Sequence, residues 1–297
     1  MDLLLQQTVN AVALGGTYAL LALGLAVVFS IMGLINFAHG ELMTIAGYVL
    51  MYCGLAGFPF GLSVGLAILT AMAAAVAMER IAFRPIRNAS GATMLVTSFA
   101  VAMVLQVLFQ NLISARSQPV VIPDFLGSSM RIGDVVIGTN KIVAIAATLL
   151  MLIALEFFMK KQKHGIAMRA AAEDFAIARL MGIRGNTVIA GAFALSGLLA
   201  GVAAVLWVSQ RSSVDPLMGF TPVLKAFIAS ILGGLGSLRG AVLGGFVLGF
   251  IEVFMAAFLP ASMQEFREPI GLTIVVLLLI VRPNGLIPAA TLQAQKV

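Results

Sequence analysis

Residues 190–208 read AGAFALSGLLAGVAAVLWV, with a single serine as the only polar side chain. A helix needs roughly 20 mostly apolar residues to cross the hydrocarbon layer of a bilayer, whereas a transmembrane strand alternates polar and apolar positions over about ten. This stretch is apolar on every side, so it reads as a membrane-spanning helix and rules out a barrel. Comparable runs recur along the chain. Predicted spans cover residues 9–34, 41–56, 60–78, 92–113, 140–159, 187–208, 222–235, 241–259 and 269–281. Segments 41–56 and 222–235 are short and bounded by glycine and proline, so each reads as tilted, re-entrant or broken. The expected fold class is an all-α integral membrane protein with eight or nine transmembrane or partly re-entrant helices, forming one domain over 1–297.

Composition agrees with that reading. Of 297 residues, 61% are hydrophobic and 10% charged, against about a quarter charged in ordinary globular domains. Mean hydropathy is +1.08. The net charge of +6 does not call for nucleic acid, because basic residues in a membrane protein are topology signals. One cysteine, Cys53, allows no internal disulfide, and His39 and His164 lie far apart, which argues against metal chemistry. Residues 1–10 lack the basic region and cleavage site of a signal peptide, so the first apolar segment is expected to stay.

The cations fall on one side. Loop 79–87 (ERIAFRPIR), loop 160–186, the GSLRG turn around Arg239, and a tail with Arg282 and Lys296 hold most of the 18 lysines and arginines. Nine crossings with the N-terminus outside place all of these in the cytoplasm. The opposite side then receives loop 114–139, where Asp124 and Asp134 balance Arg116 and Arg131. It also receives the loop around Asp215 and a turn with Glu265 and Glu268. An eight-segment alternative, with a re-entrant piece at 35–41, moves the N-terminus to the cationic side.

Loop 160–186 contains a predicted amphipathic helix over 165–183 (GIAMRAAAEDFAIARLMGI). Ala167, Ala171, Phe175, Ala178 and Met181 form its apolar face, while Arg169, Glu173, Asp174 and Arg179 lie elsewhere around it. It either joins two spans or docks a partner through its small residues and exposed acids.

The intramembrane polar residues carry two readings each. INFAHGE at 35–41 sets Asn36, His39 and Glu41 between apolar runs, with Gly33 and Gly40 able to break the helix. They line a substrate pathway, or they cap the next helix and bond a neighbouring segment. Glu252 falls mid-span and is expected to face the bundle, protonated or paired. Lys225 either snorkels to the outer interface or meets a substrate carboxylate. Glu156, four residues before Lys160, reads as a simple helix-face pair. Gly236, Gly240, Gly244, Gly245 and Gly249 form small-x-x-x-small spacings that let helices approach closely.

Several long motifs in order give the chain a family resemblance. These are GGTYALLALGLAVVFSIMGLINFAHGE at 15–41, ERIAFRPIR at 79–87, GIAMRAAAEDFAIARLMGI at 165–183, KAFIASILGGLGSLRGAVLGG at 225–245 and RPNGL at 282–286. With them the chain resembles the LivH-type membrane permeases of branched-chain amino acid ABC transporters. The resemblance implies an ABC importer permease bundle in the cell inner membrane, with loop 114–139 periplasmic. It also implies that Arg169, Ala172, Glu173, Asp174, Leu180 and Gly182 belong to a coupling helix that docks on an ATPase. Implied partners are a second homologous permease, two ATP-binding cassette subunits and a periplasmic substrate-binding protein.

No GxxxxGK[ST] loop occurs, so ATP would be used by the partner subunits and no cofactor is expected in this chain. No HExxH or nucleophile elbow suggests an enzyme. Related permeases serve urea, short amides or aromatic acids, and nothing in the sequence reads a substrate side chain. The alternative class is an ion-coupled secondary transporter acting alone, with Glu252 carrying the coupling.

Overall fold

A computed structural model describes residues 2–132 and 135–288, so Asp134 and Lys296 lie outside the described residues. The helices in chain order are α1 (Asp2–Met32), α2 (His39–Leu55), α3 (Phe60–Met78), α4 (Gly91–Leu112), α5 (Asp124–Gly127) and α6 (Thr139–Lys161). They continue with α7 (Lys163–Glu173), α8 (Phe175–Leu180), α9 (Gly185–Arg211), α10 (Phe220–Gly233), α11 (Leu238–Phe258) and α12 (Arg267–Val281). Two small antiparallel ladders accompany them: β1 (Gln118–Pro119) with β4 (Ser213–Val214), and β2 (Ser129–Ile132) with β3 (Val135–Gly138).

Every predicted apolar segment is a helix here, because an apolar stretch in a bilayer must satisfy its backbone internally. Among the described residues, six helices are long and apolar enough to cross a membrane by themselves: α1, α3 with its extension to Ile86, α4, α6, α9 and α11. The other three apolar helices, α2, α10 and α12, have 17, 14 and 15 residues. The extension of α3 is a π turn at Glu79–Phe83 followed by a 3-10 turn at Arg84–Ile86, where Pro85 removes a backbone donor.

α1 and α9 are the most buried long helices; α3, α6 and α11 pack against them with one face outward, while α4 packs against α2 and the turn at Glu79–Phe83. The glycines make that packing possible. Gly245 and Gly249 of α11 lie against the backbone of Ala19 and Gly15, and Gly197 and Gly201 of α9 lie against Ala71 and Ile68 of α3. Gly244 meets the carbonyl of Ala229 in the same way. Gly236 departs from the expected spacing: it sits in the turn before α11 with φ +81°, so it shapes that turn rather than a helix seam.

The bundle has two distinct ends. Gln6 Nε2 donates to the carbonyl of Val136 (3.3 Å) and Lys141 Nζ to Asn10 Oδ1 (2.6 Å). The start of the chain therefore lies at the same end as loop 114–139, and the β1–β4 ladder brings the 212–219 segment there too. At the other end Arg87 bonds Asn186 (2.5 Å), α7 packs under α6 and α9, and Leu286 N–H donates to the carbonyl of Leu232 (2.9 Å). This is the end that carries the cationic loops.

Candidate functional site

The residues singled out in the sequence fall into three places. Around the start of α2, the chain leaves α1 through Gly33, whose φ of +64° suits glycine, and runs through a non-helical segment buried at Leu34, Asn36, Phe37 and Ala38. His39 begins α2 with its ring beside Gly24, about two turns short of the end of α1. α2 therefore starts inside the bundle. Its first turn also meets the first turn of α10: Gly40 lies against the carbonyl of Gly219, and Gly219 N–H donates to Thr44 Oγ1 (3.2 Å). Only residues without a Cβ allow these two helix starts to touch.

Asn36, His39 and Glu41 are all buried in this junction and reach three different helices. Asn36 Nδ2 donates to Met78 Sδ of α3 (3.7 Å), His39 Nδ1 pairs with Ser196 Oγ of α9 (2.9 Å), and Gln106 Nε2 of α4 donates to Glu41 Oε1 (2.8 Å). Phe37 N–H donates to Ser98 Oγ of α4 (3.2 Å), and its ring stacks on Phe99 and meets Phe227 edge-on. Of the second reading, the capping half is absent and the bonding to neighbouring segments is present. The N-cap of α2 is Ala38, which offers no side-chain acceptor, so the polar residues bond neighbouring segments instead. Among the described residues Asn36 Oδ1, His39 Nε2 and Glu41 Oε2 have no hydrogen-bond partner, although all three residues are buried.

Lys225 and Glu252 form a second cluster, remote from the first in its partners. Lys225 Nζ lies 3.3 Å from Glu252 Oε2 and 3.4 Å from Glu268 Oε1, and Tyr18 OH donates to Glu252 Oε2 (3.0 Å). The expectation that Glu252 is paired inside the bundle matches this arrangement. Lys225 is turned onto the two carboxylates of α11 and α12 rather than snorkelling alone. Tyr18 also approaches Trp207, over whose ring Arg211 sits at 4.2 Å. Glu156 pairs with Lys160 at 2.5 Å on an exposed face, as its spacing implies.

At the cationic end the expected continuous helix over 165–183 is instead two helices meeting at Asp174. Asp174 has extended backbone (φ −150°, ψ 106°) and its Oδ1 accepts from the N–H of Ile177 (2.9 Å), so it caps α8. The physical reason is that an aspartate at a helix start satisfies an orphan donor that a continuing helix would not offer it. α7 buries Gly165, Met168 and Ala171 against α6, α9 and α1, and Met168 reaches Gly191. The apolar face predicted across both helices is therefore divided. Its α7 half lies inside, with Ala178 of α8, while Met181 is 79% exposed.

Beside Met181, Ile177 and Leu180 are 58% and 86% exposed, and Arg169, Glu173 and Asp174 face outward as well. Ala172 is half-buried. Gly182 ends α8 at φ +86°, where Ile183 N–H donates to the carbonyl of Ala178 (3.1 Å). The sequence reading missed Gln106, Ser196 and Tyr18. Each is an ordinary polar side chain in an apolar run, and the signal that would have found them is the need of a buried His or Glu for a bonding partner.

Comparison with known proteins bears on what these places do. The family model described as branched-chain amino acid transport system / permease component matches residues 7–281. The chain is 35% identical over 295 residues to the high-affinity branched-chain amino acid transport system permease protein BraD of Pseudomonas aeruginosa PAO1, covering 95% of each. It is equally 35% identical, over 299 residues and 95% of each chain, to the permease protein LivH of the same kind of system in Escherichia coli K12. A shorter likeness, 30% over 126 residues, links 40% of it to 36% of the autoinducer 2 import system permease protein LsrC of Yersinia pestis Pestoides F.

Proposed function

The chain belongs to the branched-chain amino acid transport permease family of multi-pass membrane proteins, and from that premise we propose that it forms half of the pathway of an ABC importer for leucine, isoleucine and valine. The observation that carries this reading is the likeness to BraD and LivH over 95% of both chains. The shorter likeness to an autoinducer permease covers less than half of either chain, and so favours the amino acid over other cargo.

In this reading the chain sits in the inner membrane with its N-terminus and loop 114–139 on the periplasmic side, where a substrate-binding protein delivers cargo. The cationic end faces the cytoplasm, in keeping with the distribution of lysine and arginine. α2, α10 and α12 complete a nine-segment bundle, with α2 and α10 as broken elements that start inside it. A second permease supplies the other half of the pathway, and two ATPase subunits supply the energy, ATP being bound by them.

α8 is the coupling element. Large apolar side chains on a water-facing loop mark a protein contact, and Ile177, Leu180 and Met181 are such side chains. Glu173 and Asp174 add charge for pairing, and Gly182 sets the turn that returns the chain to α9. Asn36, His39 and Glu41, each with a buried polar atom that has no partner among the described residues, are the pathway residues of this reading, at the start of α2. Lys225 and Glu252 hold α10 to α11 beside it.

Affinity purification of the chain from its native membranes in mild detergent, with mass-spectrometric identification of what is retained, tests the assembly. Recovery of two ATPases, a second permease and a binding protein is the expected result. Recovery of the chain alone, repeated after cross-linking, would favour the ion-coupled alternative.

A further inference from the structure

The seam between α3 and α9 is tight where Gly197 and Gly201 meet Ala71 and Ile68, and it opens toward the cationic end. There a surface groove of about 520 Å³ is lined by Met72, Ala73, Val76, Ala77 and Ala194, and closed by Ile81 and the exposed Arg80. One turn further along α3, a second cavity of about 900 Å³ begins at Arg84. It lies between the ends of α1, α3 and α9, and Arg84, Arg87, Arg179 and Arg184 all line it, opposite Ile31 and Met32 of α1.

Four guanidinium groups around one cavity repel one another unless an anion is present. Arg87 is committed to Glu79, which is buried, and to Asn186. Arg84, Arg179 and Arg184 form no ion pair among the described residues. The cavity also takes in the start of α9, whose N-cap Arg184 offers no side-chain acceptor, so the positive end of that helix adds to the same field. Nothing among the lining residues supplies negative charge.

We propose that this groove and cavity hold an anionic phospholipid, with an acyl chain along the alanine-rich groove and the headgroup phosphate among Arg84, Arg179 and Arg184. Two observations choose a lipid over other anions. The apolar groove and the basic cavity follow one another along the same helix pair in the order of a lipid's chain and headgroup. The cavity is also walled by the ends of three membrane helices, which is the level of the headgroups. A guanidinium grips a phosphate through paired N–H donors. A free phosphate would leave the groove and the face of Ile31 and Met32 unfilled.

The test is native mass spectrometry of the purified full chain in mild detergent, doped in turn with phosphatidylglycerol, phosphatidylcholine and inorganic phosphate. Wild-type protein is expected to retain phosphatidylglycerol in preference to phosphatidylcholine. The double variant Arg84→Gln, Arg184→Gln is expected to lose that preference by about tenfold or more, tenfold being the size of one lost charge-assisted bond. Filling the groove with Ala73→Leu and Ala77→Leu is expected to weaken retention of both lipids while leaving the headgroup preference. Equal retention of the two lipids by wild-type protein would overturn the proposal, and that comparison requires no variant to fold. Full displacement of phosphatidylglycerol by inorganic phosphate would assign the cavity to a free anion instead. Unchanged lipid retention in the arginine variant, together with loss of a co-purifying ATPase, would assign it to an acidic protein segment.

Discussion

The junction of α2 with α10 and the pair α7–α8 are the two places where the chain departs from simple spanning helices, and they are built in opposite ways. At the junction everything is turned inward: Gly40 touches Gly219, and Asn36, His39 and Glu41 are buried and bonded to three other helices. On α8 the large apolar side chains Ile177, Leu180 and Met181 are turned outward, and only Ala178 is buried. The buried polar junction packs against helices of the same chain, where a small volume change is felt directly. The exposed apolar turn of α8 is held through α7 and through Phe175 and Arg179 against Gly185 at the start of α9, and in the proposed function it is completed by a partner. Damage to the first should therefore appear in folding, and damage to the second in assembly.

The sharpest way to break this contrast is Gly40→Leu. The new side chain would run into the backbone of Gly219, and overpacking of this kind costs about 1–3 kcal/mol even where neighbours can move. Because the neighbour is backbone, most of the chain is expected to be lost from the membrane fraction, as scored by monodisperse protein after extraction. Normal recovery would mean that the two helix starts are not packed as described.

Leu180→Asp tests the other half. Its side chain is exposed, so thermal stability should stay within about 0.5 kcal/mol of wild type. Binding of the ATPase subunits should fall by about 30-fold or more, as for an interface hot spot of at least 2 kcal/mol. A loss of stability without a loss of binding would reverse the assignment of the two regions.

Asp174 separates capping from charge. Asp174→Ala should destabilise α8 by about 1 kcal/mol and weaken ATPase binding about fivefold, whereas Asp174→Asn keeps an N-cap acceptor and should recover most of it. Reversing Glu173 and Asp174 together to lysine would confound the two effects, so Glu173→Lys alone is the cleaner probe of charge pairing with the ATPase. The smallest effect is expected at Glu156→Gln. It removes an exposed helix-face pair and should leave both thermal stability and uptake unchanged.

The spanning helices were legible in the sequence because lipid allows an apolar stretch few conformations. Residues 60–78 were predicted and α3 occupies the same positions. The shortness of the segments starting near 41 and 222 was also legible, and α2 and α10 do begin inside the bundle. What was not legible depends on contacts distant in sequence. The pairing of Gln118 with Val214 joins strands too short to leave an alternating pattern. The partnership of His39 with Ser196 and of Glu41 with Gln106 rests on which helices become neighbours. The break at Asp174 was missed for a local reason. The apolar spacing of Ala171, Phe175 and Ala178 runs through it in helical register, and that periodicity masked an aspartate placed as a helix start.

The most direct test of the account is leucine uptake into proteoliposomes, with the chain reconstituted either alone or with the second permease, both ATPases and the binding protein. The account predicts uptake only with the full set and only with ATP on the side of α8, at a rate abolished by Leu180→Asp. Uptake by the chain alone under an ion gradient, or a full assembly that hydrolyses ATP and moves no branched-chain amino acid, would contradict it.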